Sequence, residues 1–233
     1  MKLFKVISTF LVILTAFLIY AFPVPKLTTP QGKYAIGTTL YDLTDSSRIE
    51  TYSDLANTNR KFMFQVWYPA ESVKEYKKVP WLIQGEATTK GLARLGNLPE
   101  FALNQLSLVP SNSYFNAPIA SESEKYPVLI LSHGWSSSRL LHANIAESLA
   151  SNGYIVIGIE HTFGSVATTF TDGTTSFFSS TTLPSTDYSS ELLENGSRLI
   201  ETFAADISYV LNSLDDFNQG INGPDVLKGK LDL

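Results

Sequence analysis

Apolar positions recur along this chain in three different rhythms, and each rhythm marks a different kind of element. Phe62, Phe64, Val66 and Tyr68 occupy every second position of Lys61 to Tyr68, the period of a strand with one face buried. Tyr34 to Asp42 has the Tyr, Ile and Thr content of another strand, and the polar, turn-rich Asp45 to Asn59 joins the two as an antiparallel pair. Val128 to Leu131 is instead an unbroken apolar run just after Pro127, as is Tyr154 to Ile159. Such runs fit strands buried on both faces of a parallel sheet. Between them Leu140, Leu141, Ile145, Leu149 and Ala150 recur at helical spacing, and Asn152-Gly153 supplies the residues that commonly end a helix. Strand, helix and strand of this length predict a right-handed parallel crossover. Ligands in such sheets bind at the carboxyl ends of the strands, where His133-Gly134 and Glu160-His161 stand.

The remaining stretches are read around that unit. Residues 92–108 have helical apolar spacing in two pieces, broken at Gly96 to Pro99; they read as an amphipathic pair packed on the body, with a pocket-covering role open to their Leu and Phe residues. Residues 164–189 form a long Ser, Thr and Gly-rich loop. A long helix then runs from Asp187 or Ser190 to Phe217. One row, Leu193, Ile200, Ile207 and Leu214, repeats every seven residues, with Leu192, Leu199, Phe203, Val210 and Phe217 beside it. No internal repeat is present.

Composition changes this picture in two ways. The 233 residues are 44% hydrophobic and 12% aromatic, enough for a substantial core. Net charge is −5 with Lys and Arg scattered, so the basic footprint of nucleic-acid binding is missing and no nucleic-acid partner is expected. The absence of cysteine excludes disulfides and thiolate chemistry. At the amino end, Lys2 and Lys5 precede an uncharged apolar segment, so residues 1–25 read as an export signal, either cleaved as a signal peptide or kept as a membrane anchor through residues 6–22. The rest is expected outside the cytoplasmic membrane, secreted, periplasmic or anchored to its outer side. Residues 26–33, with prolines spaced through them, read as a linker, and 34–233 as one α/β domain.

The stretches around Phe22 to Asp42, Arg60 to Ala70 and Tyr126 to His161 resemble the secreted platelet-activating factor acetylhydrolase family and its bacterial esterase relatives. The match is most specific in the Ser132-His133-Gly134 turn with Arg139 and in the strand ending Glu160-His161. The resemblance implies an α/β-hydrolase fold, here its amino-terminal part only: an antiparallel strand pair leading into an incomplete parallel βαβ sheet. It also implies an ester hydrolase without cofactor, acting on small acyl esters or phospholipids, in the namesake enzymes those with a short or oxidised acyl chain. His133, Gly134 and Trp135 then form the oxyanion loop, with the Trp135 backbone amide as donor.

Such enzymes need a serine on a GxSxG elbow, then an acid and a histidine. The sequence has no GxSxG; Gly134 to Ser138 comes nearest and lacks the second glycine. The expectation is therefore that nucleophile, acid and base are absent from this chain, that the elbow would fall shortly after Leu233, and that 34–233 is the front part of a longer hydrolase domain. Gly134 is expected to prevent a side-chain clash at the turn. A dyad of His161 with Ser136 or Ser165 is outweighed by a scaffold role for His161 beside Glu160, because no elbow activates a local serine. No HExxH, Asp-x-Asp-x-Asp, GxGxxG or Walker pattern suggests a metal or nucleotide. A non-catalytic exported protein that binds a lipid or ester, or one that serves as an interaction partner, is the alternative.

Overall fold

The computed structural model describes residues 2–21, 24–53, 57–182 and 190–233. In chain order these form α1 (Lys2–Ala21), β1 (Ala35–Ile49), β2 (Asn59–Ala70), β3 (Lys78–Pro80), α2 (Gly85–Leu95), β4 (Pro110–Phe115), β5 (Tyr126–Ser132), α3 (Ala143–Ser151), β6 (Ile155–Glu160), β7 (Ala167–Thr169), β8 (Thr175–Phe177), α4 (Ser190–Gln219) and β9 (Leu231–Asp232). Short 3-10 turns lie at Glu100–Leu108, Arg139–His142, Ser180–Thr182 and Asp225–Leu227.

The main sheet runs β3-β4-β1-β2-β6-β5-β9. β1 and β2 pair antiparallel, β6 lies antiparallel to β2, and β5 is parallel to both β6 and β9. The antiparallel pair therefore docks directly on the second strand of the parallel unit rather than the first, and the sheet has seven strands. Residues 69–118 contribute two of them, β3 and β4.

Alternation along β2 and β6 divides the core into two layers. Phe62, Phe64, Val66 and Tyr68 of β2 and Ile155, Ile157 and Ile159 of β6 pack with Val210, Leu214 and Phe217 of α4. Trp67 and Val156 point the other way, onto Ala143, Ala146 and Ala150 of α3. Each fully buried isoleucine contributes about 1.5–3 kcal/mol, and β6 carries three of them. α3 ends as its sequence predicts: Gly153 has φ +94°, its N–H meets the Ala150 carbonyl and the Tyr154 N–H meets that of Leu149. This is the paired 5→2 and 6→1 closure of a Schellman motif.

Several expectations change. β5 is not buried on both faces: Leu129 is exposed and Val128, Ile130 and Leu131 are half-buried, since β9 pairs only with Tyr126 and Pro127. On α4 the row seven residues apart is not the buried one. Leu193 and Ile200 are exposed while Leu214 is buried, because a repeat of seven drifts about 20° per step on a 3.6-residue helix. The buried side is Leu199, Asp206, Val210, Leu214 and Phe217; the predicted start at Asp187 lies outside the described residues. The Ser/Thr-rich loop 164–189 contains the β7-β8 hairpin, while its end, 183–189, also lies outside them. The two-piece reading of 92–108 matches the end of α2 and the Glu100–Leu108 turn. No helix among the described residues is long and apolar enough to cross a membrane, so the anchor reading of residues 6–22 gains no support.

Candidate active site

β5 and β6 end side by side, Ser132 opposite Ile159, and deliver His133 and the Glu160-His161 pair to the same end of the sheet. Alternation sends Glu160 and His161 to opposite faces, and each meets a different buried partner. Glu160 receives Ser138 Oγ at 2.9 Å and the Arg139 guanidinium on Oε2. Burial alone would push its carboxyl up; Arg139 overrides that and holds it below the usual carboxylate range. Ser138 also caps the following 3-10 turn by accepting the Leu140 N–H at 3.2 Å. Glu160 thus ties down the far end of the loop that leaves β5.

The loop itself, His133 to Ser138, is held from several sides. Ser137 N–H closes a turn on the Gly134 carbonyl at 3.1 Å, with Ser136 in the left-handed region at φ 53°. A positive φ at the third turn position ordinarily falls to glycine, so Ser136 stores of order 1 kcal/mol of strain that its neighbours must hold. They do so by pairing the loop with the segment after β6: Ser136 N–H to Gly164 O at 2.8 Å and Val166 N–H to Ser137 O at 2.8 Å. The Trp135 indole N–H donates to Thr182 Oγ1 at 2.9 Å and its ring meets Phe178 edge-on. The Trp135 backbone N–H, by contrast, has no partner among the described residues. The steric reason expected for Gly134 is absent: a Cβ there would meet nothing within 4 Å, so the glycine borders open space.

On the other face, His161 is stacked on Phe203, centroids 3.9 Å apart. Its Nδ1 lies 2.9 Å from Asp206 Oδ2 and its Nε2 lies 2.8 Å from Ser132 Oγ. Asp206 is also bound by Arg60 through both oxygens, Nη2–Oδ2 2.6 Å and Nε–Oδ1 3.1 Å, and by Arg48 Nη2 at 2.8 Å. Burial opposes its ionisation, yet His161 and Arg60 keep it ionised, far below the usual range. An ionised Asp206 takes the Nδ1–H, so Nε2 is left to accept the Ser132 hydroxyl.

The hydrogen-bonded row Ser132–His161–Asp206 has the connectivity of a hydrolase triad, though not its chain order of serine, acid, histidine, and its electrostatics are those of a scaffold. Burial first, with Asp206 only partly offsetting it, lowers the His161 pKa to about 4. A general base works best with a pKa near the operating pH. Holding a proton here at pH 7 costs about 4 kcal/mol, and the carboxylate that would stabilise it is already paired with two arginines. His161 links Ser132 at the end of β5 to Asp206 of α4. Neither the Ser136 nor the Ser165 hydroxyl is hydrogen-bonded to the His161 ring among the described residues; Ser165 donates its backbone N–H to the His161 carbonyl at 2.8 Å and its Oγ meets Thr168 Oγ1 at 2.9 Å.

The sequence reading did not name Arg60, Asp206 or Glu50, which receives Arg60 Nη1 at 2.7 Å. Asp206 carried one signal, being a lone charge on the apolar side of α4. A cleft of about 630 Å³ lies elsewhere, between Thr39–Tyr41, Asn116–Ile119 and Gly223–Val226, and includes none of these groups.

Comparison with known proteins gives a consistent pattern. A family model described as platelet-activating factor acetylhydrolase, isoform II, matches residues 21–233. Platelet-activating factor acetylhydrolase of Canis lupus familiaris is 28% identical over 151 residues, covering 60% of this chain and 29% of that protein. The Cavia porcellus protein of that name is 31% identical over 119 residues, 48% of this chain and 26% of its own. The chain thus spans less than a third of these curated relatives. In fold it resembles a ferulic acid esterase from Streptomyces cinnamoneus, with TM-score 0.65 and 23% identity over 89% of this chain and 52% of the esterase.

Proposed function

The chain belongs to the platelet-activating factor acetylhydrolase, isoform II, family, and from that premise we propose that it carries the oxyanion side of an ester hydrolase site. The observation that carries this reading is the unpartnered Trp135 backbone N–H, at the carboxyl end of β5, in a loop whose neighbouring groups are tied down. A donor left unpartnered in a tied-down loop is what a developing carbonyl oxyanion requires. The substrate class is a small acyl or phospholipid-type ester. His133 and Gly134 shape the loop, Trp135 N–H donates, and no cofactor takes part.

The nucleophile, acid and catalytic histidine are not among residues 1–233 in this reading. Two features support that: no GxSxG occurs, and the Ser132-His161-Asp206 row lacks a usable base. One oxyanion donor is worth about 10²–10³ in rate, which assists chemistry but does not start it. Residues 1–25 direct export, and the site works outside the cytoplasmic membrane.

The purified chain, offered p-nitrophenyl acetate, is expected to release nitrophenolate no faster than the buffer blank. Turnover that Ser136→Ala abolishes would place the nucleophile in the loop itself and overturn this assignment.

A further inference from the structure

We propose that the His133 imidazole positions the oxyanion donor by holding the carbonyl end of the very peptide whose nitrogen end donates. The inference rests on the reading of Trp135 N–H as that donor. The Gly134-Trp135 peptide is planar and trans, so its C=O and N–H point in opposite directions and fixing one aims the other.

Gly134 gives this peptide no steric guidance. Glycine is the most conformationally free residue, and nothing lies within 4 Å of where its Cβ would be. Orientation must come from hydrogen bonds, and the Gly134 oxygen receives two. One is the Ser137 N–H at 3.1 Å, within the loop's own turn. The other, shorter, is His133 Nδ1 at 2.7 Å. The ring that supplies it belongs to the rigid part of the domain. His133 is buried, its Nε2 accepts the backbone N–H of His161 at 3.1 Å, and its faces and edges meet the rings of His161 and Phe203. The order of the loop is thereby borrowed from the end of β6 through one side chain.

This arrangement demands one tautomer. Nε2 accepts from His161 N–H, so the proton sits on Nδ1 and faces Gly134 O. The competing arrangement is present alongside it: Glu160 Oε1 lies 3.2 Å from Nε2 and has no hydrogen-bond partner among the described residues. Moving the single proton to Nε2 would satisfy Glu160 and release the Gly134 carbonyl. His133 is thus a positioning residue, and its influence on the donor depends on which ring nitrogen carries hydrogen.

The test uses the isotope-labelled chain and NMR, with no need for turnover. The expected result is a protonated Nδ1 and an unprotonated Nε2 in the ring ¹⁵N spectrum of His133. In His133→Ala the Gly134 carbonyl ¹³C signal should move upfield, as a carbonyl does on losing a donor, with the Trp135 amide signal following. His133→Asn, whose side-chain amide can occupy the place of Nδ1–H, should restore most of both shifts. A proton found on Nε2, or equal shifts in the Ala and Asn variants, would reduce the ring to a filler and overturn the proposal. If His133→Ala fails to fold, the tautomer in the unmodified chain decides alone. Because these signals report on the peptide and not on hydrolysis, ester turnover through Ser136 would sink the functional reading while leaving the lock intact. An Nε2 proton would do the reverse.

Discussion

Arg60 and Asp206 face each other side-on in the core, Nη2 to Oδ2 at 2.6 Å and Nε to Oδ1 at 3.1 Å, each at most 2% exposed. This pair joins the start of β2 to the middle of α4, and Asp206 then passes the connection to His161 just after β6. A buried pair is weak evidence of net stabilisation, but breaking one leaves an uncompensated charge. Asp206→Asn keeps the shape and removes the charge, leaving Arg60 with Glu50 alone. Urea unfolding should show a loss of about 3–5 kcal/mol. A loss under about 1 kcal/mol, the range of exposed ion pairs, would mean that the contact is incidental.

Stability should also fall with acid before the ordinary carboxylates titrate. His161 has an ordinary pKa of 6.5 and a folded value of about 4, lowered mainly by burial. Its contribution is complete above pH 6.5, where the ring is neutral in both states. Between 6.5 and 4 the unfolded chain binds a proton that the folded chain refuses, so about 3 kcal/mol is lost as pH falls across that window. Below it, protonation of Asp206 and Glu160, both held low by their partners, adds to the loss. Unfolding midpoints at pH 7.5 and 5 should therefore differ more in the unmodified chain than in His161→Gln. Equal differences would show that His161 does not titrate in this way.

Two glycines near the loop should respond oppositely to alanine. A Cβ on Gly164 would stand 2.5 Å from Phe203 Cε1 and Cζ, in a ring already stacked on His161. Gly164→Ala should cost about 1–3 kcal/mol as that stack is displaced. Gly134→Ala meets nothing within 4 Å and should stay within about 0.5 kcal/mol. Thermal unfolding of the two variants checks both; the reverse order would mean that the loop is packed differently from the arrangement described.

What the sequence made legible was local. The β5-α3-β6 unit declares itself through two apolar runs, a helical period and Asn152-Gly153, all within one short stretch, and His133-Gly134 falls at its strand end as expected. The partner of His161 lies 45 residues away, and nothing in the local pattern links the two, because only the packing of α4 on the sheet brings Asp206 to that strand end. The same holds for β4, which pairs with β1, and for β3, which pairs with β4: their few apolar residues become strands only through those distant partners. The role of Gly134 is not legible for a related reason: a clash is a property of neighbours in space, and here the neighbouring space is open.

Whether any serine of this chain is activated can be read by intact-mass analysis of the purified protein after exposure to a fluorophosphonate, which bonds covalently to activated serines. No adduct is expected, since burial lowers the His161 pKa to about 4 and no GxSxG elbow occurs in the sequence. A stoichiometric adduct, mapped to Ser132, Ser136 or Ser165 and lost in the corresponding alanine variant, would show a working nucleophile within these residues and contradict that expectation.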